Sequence, residues 1–281
     1  MKTKNRKSKV KINYNIIVSI LSLTVAIIAL LYNITKPDPE PNYLPISPSG
    51  IVPKYNVNLL SYKDCRHVLT KVKVNNNIFT IFEIIGIPNK SNVLKIKNKN
   101  GKNDYFYEYL FIRKSFILLI NTNIEGIILY YSITSLDYNL NPELPIDISM
   151  RGKKNTLLNN IKFSMLGSKS LKEIYYNGSA KYIEYAEHEY FGNPGDYNEY
   201  HFGINPLGYQ NEIHDNLLQK FVFNYEDKDD KYLTDSLIKF RDVATPNSFG
   251  VLNSISPDSL INYIIKGSIG PDYLDTRGIV D

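Results

Sequence analysis

The longest continuous apolar stretch of the chain covers residues 16–34 and contains no charged side chain. At about 1.5 Å of rise per residue, a helix of this length spans roughly 28 Å, which matches the hydrocarbon core of a bilayer. The stretch also lacks the polar face that a surface helix of a soluble domain shows. The pattern predicts a transmembrane signal anchor at 16–34. A cleaved signal peptide, which also has a basic start and an apolar core, is the competing interpretation.

Charge predicts the orientation of this helix. Residues 1–15 form a basic tail, since six of the 33 Lys and Arg residues lie within the first eleven positions. Positive charge is retained on the cytoplasmic side of a membrane, so we expect a cytoplasmic N-terminus and an extracytoplasmic body. Richness in Asn, Ile and Lys and the absence of Trp are typical of an AT-rich bacterial genome. We therefore expect a single pass through a bacterial inner membrane, with a periplasmic C-terminal domain.

The small residues of the apolar stretch fall on one helix face, because they recur at spacings of three and four. They are Ser19, Ser22, Ala26 and Ala29. Small side chains allow two membrane helices to approach closely, so a homodimer through this face is one hypothesis.

Residues 35–53 are rich in proline, which prevents continuation of a helix and favours an extended chain. The prolines are Pro37, Pro39, Pro41, Pro45, Pro48 and Pro53. We predict a spacer at 35–53 and a domain boundary near residue 54. The body that follows has almost equal numbers of basic and acidic residues. Its charge therefore gives no indication of nucleic acid binding, which requires a clustered basic surface.

The first half of the body, 54–150, shows one helical run followed by four strand-like runs. The apolar run 78–85 follows Asn77 and is ended by Gly86 and Pro88, which are helix start and stop signals. The strand-like runs are rich in β-branched and aromatic residues and are separated by turn residues, as in an antiparallel meander. The pattern predicts an α+β fold in which helices pack on one face of the meander sheet.

The order of a helix ending in G-x-P and a following meander, over about residues 76–135, resembles two groups of envelope modules. These are the SmpA-type outer-membrane assembly lipoproteins and the tandem β-lactamase-inhibitor modules. The resemblance implies a fold and carries no activity.

The second half, 151–281, is predicted to be a second α+β unit related to the first. We expect a short helical region at 157–176, a strand at 219–227, and helices at 229–244 and 257–266. Between them, the sequence YFGNPGDY predicts a β-hairpin centred between Pro194 and Gly195. That centre pairs His188 with His201. It also places polar side chains on a water-facing side of the hairpin and apolar ones toward the core.

The YFGNPGDY stretch, taken with the N-terminal anchor, resembles a family of membrane-anchored enterobacterial proteins that carry a domain of unknown function. This resemblance covers most of residues 55–250. It implies membrane anchoring and supplies no site residues.

Histidines are the only clustered candidates for metal ligands. His188 and His201 on adjacent strands, with Glu184 or Glu199 nearby, contain ligand types that zinc accepts. However, H-E-x-x-H and the serine-hydrolase and phosphate-loop motifs are absent from the sequence. Cys65 is the single cysteine and is expected to be buried and inert. The sequence therefore assigns no catalytic, cofactor-binding or metal residue, and it predicts no cofactor.

Aromatic residues near the hairpin turn form a candidate partner-contact patch, because aromatic side chains dominate interface hot spots. They are Tyr190, Phe191, Tyr197 and Tyr200. The favoured hypothesis is non-enzymatic binding of a protein or an envelope component. The alternatives are an envelope hydrolase or metal-binding protein that uses the His188/His201 face, and a structural membrane protein that dimerises through its anchor.

Overall fold

A computed structural model describes most of the body and one part of the predicted anchor. The described residues are 21–28, 43–145, 156–167, 174–179, 182–193, 196–209, 230–272 and 276. The chain divides into two units, Met1–Tyr43 and Leu44–Asp281, and the second is a compact body.

Residues 21–28 of the predicted anchor are helical, and their large apolar side chains are exposed. Of the helices in the described part, none is both long and apolar enough to span a bilayer. The rest of 16–34, including Ser19 and Ala29, lies outside the described residues. Dimerisation through that face therefore stays a prediction.

The last part of the predicted spacer belongs to the body, which begins at Leu44. The backbone N–H of Ile46 donates to the hydroxyl of Tyr109 at 2.9 Å. The N–H of Lys54, just after the spacer, donates to the carbonyl of Glu83 at 2.6 Å. Residues 44–53 are thus the first segment of the body, and 35–42 lie outside the described residues.

Among the described residues, eight strands form one antiparallel sheet in the order β1-β2-β3-β4-β8-β7-β6-β5. The strands are β1 Lys90–Lys97, β2 Asn103–Ile112, β3 Phe116–Thr122, β4 Ile128–Ser135, β5 Ile174–Ser179, β6 Tyr182–Asn193, β7 Asp196–Ile204 and β8 Ser248–Asn253. The first four strands are the predicted meander. The sheet continues from β4 into β8, so the strands of both halves belong to one sheet.

In the part of the body that the structure describes, four α-helices pack on this sheet. They are α1 Tyr62–Leu69, α2 Ile78–Ile85, α3 Asp230–Val243 and α4 Asp258–Ile265. The predicted helix at 78–85 is confirmed as α2, where the Asn77 side chain caps the N–H of Phe79 and Gly86 ends the helix at φ 92°. Helix α1 was not predicted, because only three of its eight side chains are buried and no long apolar run marks it.

Part of the prediction for the second half is wrong. The region 157–176 forms two 3₁₀ turns, Leu158–Asn160 and Phe163–Leu166, and then enters strand β5. Strand β8 was not predicted at all. The predicted strand at 219–227 lies outside the described residues, whereas the two C-terminal helices are confirmed as α3 and α4.

The prediction that helices pack on one face of the sheet is also wrong. Consecutive residues of a strand point to opposite faces of the sheet, and neighbouring residues of β2 contact different helices. We call one face of the sheet the α2 face, because the ring of Phe82 on α2 contacts the rings of Tyr109 and Phe111 there. We call the opposite face the α4 face, because Leu260 and Ile264 of α4 cluster there with Leu110 and Leu119. Both faces are therefore covered by helices.

The sheet curls around its α4 face. Residues of β1 and of β5, the two edge strands, line the same cavity of about 250 Å³. Eight strands spaced at about 4.8 Å would place the two edges roughly 34 Å apart in a flat sheet, far wider than a cavity of that volume. The α4 face must therefore be concave, and α4 and the segment after it lie within the concavity.

Candidate functional site

The cavity on the concave α4 face is the candidate site. Its wall combines side chains of β1 to β6 with α4 and the C-terminal segment 267–272, and Thr276 also lines it. Carboxylates are contributed by Glu108, Glu184 and Asp272, amides by Asn92, Asn121 and Asn177, and phenols by Tyr130, Tyr175, Tyr182 and Tyr263. Concave pockets with a few convergent polar groups are where small ligands bind.

Asparagine Asn205, at the end of β7, holds the C-terminal segment against the sheet. Its Nδ2 donates to the carbonyls of Ile269 and Pro271 at 2.6 and 3.1 Å. Between them, Gly270 has φ +78° and approaches Thr134 so closely that a Cβ atom would lie 2.7 Å from the Thr134 hydroxyl. A glycine is needed here both for the left-handed backbone and for the close approach. This segment closes one side of the cavity.

Glutamate Glu184 on β6 is the most buried carboxylate of the cavity, at 5% exposure. The hydroxyl of Tyr175 donates to its Oε2 at 3.3 Å. Burial raises the pKa of Glu184, and the nearby Asp272 carboxylate raises it further. Among the residues that the structure describes, no Lys or Arg pairs with Glu184. Its negative charge is therefore costly unless something outside the described chain offsets it.

On another wall, Asn121 is fully buried and lies beside Glu108. Its Nδ2 donates to Glu108 Oε2 at 3.4 Å. Its Oδ1 accepts no hydrogen bond from any residue in the described part. The carboxylate of Glu108 only accepts, so it fixes the amide with Nδ2 toward itself and leaves Oδ1 as the open acceptor.

The histidine pair lies beyond the cavity on the same face. His188 and His201 are cross-strand partners, as the hairpin centre predicts, with ring centroids 6.1 Å apart. His201 is 2% exposed, and burial together with His188 lowers its pKa to about 3. The polar side of the hairpin was predicted to face water. That prediction is wrong for Glu184 and His201, which are both buried, whereas Tyr190 on the same side is exposed.

The structure provides no third ligand for a metal ion at the histidine pair. The described residues contain no group of three His, Cys, Asp or Glu side chains placed to hold one ion. His214, the next histidine along the chain, lies outside the described residues. Cys65 is buried, and burial raises the pKa of its thiol. Because the thiolate is the reactive form, both observations agree with the expectation that Cys65 is inert.

The predicted aromatic patch is divided between surface and core. Tyr190 and Tyr197 stack at 5.2 Å between centroids and are 55% and 38% exposed. Tyr200 lies on the other face of the sheet and is 5% exposed, so its assignment to the patch is wrong. Consecutive strand residues alternate between faces, so Tyr200 cannot share a surface with its neighbour Glu199. The side chain of Phe191 lies outside the described part.

A buried ion pair holds helix α3 on the α2 face and was not foreseen. Arg241 donates from Nε to Glu187 Oε1 at 2.7 Å and from Nη2 to Oε2 at 3.0 Å. Nη2 also reaches the carbonyls of Phe163 and Gly167, while the hydroxyl of Tyr185 donates to Glu187. Each carboxylate oxygen of Glu187 is satisfied, so this network is a structural cross-link.

Sequence reasoning named Glu184 but missed Asn121, Glu108 and Tyr175. One signal was available, since Asn121 and Thr122 are polar residues that end a strand of five apolar residues, and all seven positions are buried. A comparison of the chain with family models, with curated proteins and with solved structures finds no match, so the function is argued from this cavity alone.

Proposed function

We propose that the chain is a membrane-anchored, non-enzymatic binding protein whose body takes up a small polar envelope component in the cavity of the α4 face. The observation that carries this proposal is the combination of this concave cavity with the open acceptor Asn121 Oδ1. A buried acceptor without a donor is costly, and a bound ligand that donates to it removes that cost.

Binding is favoured over hydrolysis by the state of His201. A histidine acting as general base needs a pKa near neutrality and access to substrate. His201 has neither, because it is buried and its pKa is lowered to about 3. The cavity wall itself offers hydrogen-bonding groups and aromatic rings, which suit recognition of a ligand.

The location is proposed from the apolar stretch 16–34 and its basic N-terminal flank, which favour an inner-membrane anchor with the body outside the cytoplasm. The described part of that stretch supports this placement. Its large apolar side chains are about half exposed or more, for example 60% for Leu21 and 59% for Ile28. Apolar helix surface of this kind is stabilised when lipid covers it.

The proposal is tested on the full chain in a mild detergent, by thermal unfolding with a set of small polar compounds. Ser268 lines the cavity from the C-terminal segment, so Ser268→Trp should fill it and abolish stabilisation by any ligand that binds there. The matched control is Ser91→Trp, which makes the same change on β1 at an exposed position of the other face.

A compound that stabilises the parent chain and Ser91→Trp, but not Ser268→Trp, supports the proposal. If no compound stabilises the chain, or if stabilisation survives in Ser268→Trp, the cavity is not a ligand site.

A further inference from the structure

We infer that the ligand of this cavity is a small organic cation, whose ammonium group pairs with Glu184 and whose further donors reach Asn121 Oδ1. The inference rests on the proposed function and specifies the chemistry of the ligand. It combines the charge balance of the wall, the orientation of the Asn121 amide and the aromatic lining.

The wall has an excess of negative groups. Glu108, Glu184 and Asp272 line the cavity, and Lys90 on the edge strand β1 is the only Lys or Arg among the described lining residues. Glu184 is the deepest of the three carboxylates and has no ion-pair partner in the described chain. A ligand ammonium would supply the missing counter-charge, which a neutral or anionic ligand does not.

The acceptors of the wall also select a donor-rich ligand. The Glu108 carboxylate holds the Nδ2 of Asn121, so the amide presents only its oxygen as an open group. Together with the three carboxylates, it provides a set of acceptors in a wall whose phenols and other amides can both donate and accept. An ammonium with adjacent hydroxyl or amine groups has donors for each of these acceptors.

Aromatic rings contribute in the same direction. Tyr175 lies against Glu184, and Tyr182 and Tyr263 line the cavity nearby. The faces of such rings attract cations, and this attraction grows when water is excluded. An anionic ligand would meet the carboxylates unfavourably, and no arginine among the described lining residues would receive it.

The size of the cavity limits the ligand. About 250 Å³ is below the range of roughly 300–1,000 Å³ that accepts drug-sized molecules, so we expect a ligand with the dimensions of a single amino sugar or a short diamine.

The test is calorimetric titration of the full chain in detergent with two matched pairs of probes. Glucosamine and glucose differ by one ammonium in place of a hydroxyl, and 1,4-diaminobutane is paired with 1,4-butanediol. We expect at least one amine to bind about tenfold or more tighter than its neutral partner, which is the effect of one modest charge interaction.

Glu184→Gln should remove that preference, because it retains the shape of the side chain without the charge. Glu125→Gln, at an exposed turn, should leave it unchanged. Asp272→Asn at the exposed rim is a second variant, expected to weaken amine binding by a smaller factor and without disturbing a buried group.

Equal affinity for amine and neutral partner, a preference that survives in Glu184→Gln, or no amine binding would overturn the inference. The proposed function would still stand if a neutral or anionic compound bound in a manner blocked by Ser268→Trp. It would fail together with the inference if nothing bound in that manner.

Discussion

The phenol ring of Tyr130 lies edge-on to the imidazole of His201, with 6.1 Å between the ring centroids. The two residues are on β4 and β7, and strand β8 lies between them. The contact is made across Gly250, where a Cβ atom would lie 2.7 Å from the Tyr130 hydroxyl oxygen. A missing side chain at the centre of the sheet thus makes room for the tyrosine that lines the cavity.

Gly250→Ala should therefore destabilise the protein through this contact. The backbone of Gly250 is not in the left-handed region, so alanine meets only a steric conflict. Overpacking costs about 1–3 kcal/mol, whereas reduced freedom of the unfolded chain gains about 0.4–1 kcal/mol. The net loss should be measurable by denaturant unfolding.

The control for this prediction is a double-mutant cycle. The cost of Gly250→Ala should shrink in a Tyr130→Leu background, because the ring that it meets has gone. An equal cost in both backgrounds would place the conflict elsewhere.

Arg241→Met should cost about 3–5 kcal/mol of unfolding free energy, because it leaves the buried Glu187 carboxylate without its cation. The exposed pair of Lys99 and Asp258 provides the comparison, since its side chains are 76% and 64% exposed. Lys99→Met should cost less than about 1 kcal/mol. Similar losses for the two variants would mean that Arg241 acts only through packing of its aliphatic part.

The stability of the protein should depend on pH through Glu184. Its folded pKa is raised by burial and by the carboxylate of Asp272, while hydrogen bonds from Tyr175 and Asn177 oppose this rise. A raised pKa means that folding favours the protonated carboxyl. The stabilisation that the protonated Glu184 carboxyl contributes is complete below the ordinary pKa of a glutamate. It is lost as the pH rises through the pKa that Glu184 has in the folded protein.

Glu184→Gln imitates the protonated form at every pH. The variant should therefore gain melting temperature relative to the parent as the pH rises from about 4 toward 8, and Glu125→Gln should show no such gain. A difference between parent and Glu184→Gln that does not change with pH would show that Glu184 does not titrate in this range.

Cysteine labelling provides a test of the proposed membrane orientation. Cys65 is 1% exposed, so it should not react with a membrane-impermeant maleimide in the folded protein. Ile255→Cys, at a position that is 81% exposed in the body, should be labelled on intact spheroplasts. Lys4→Cys in the basic tail should be labelled only after lysis. The reverse pattern would contradict an extracytoplasmic body.

Local signals were sufficient for the elements that local contacts stabilise. The four strands of the meander and helix α2 follow from apolar patterns and from capping residues such as Asn77 and Gly86. The pairing of His188 with His201 followed from the position of the turn, because a hairpin sets its own register over a few residues. The membrane anchor and the non-enzymatic role remain predictions.

Strand β8 shows why other elements escaped prediction. It has six residues with a glycine in the middle, and its partners are β4, more than a hundred residues earlier, and β7. A short strand with an interior glycine is a weak local signal, and pairing with two distant strands stabilises it only in the folded chain.

The sequence by itself determined which side chains share a face of each strand, because strand geometry alternates with a period of two. This alternation correctly grouped Glu184 with His201. Only the tertiary structure decided that α4 and the segment held by Asn205 cover this face, so that Glu184, a residue expected in water, is buried in the wall of a cavity. The physical reason is that a polar pattern reports the chemistry of a face, whereas its environment depends on which distant segment packs over it.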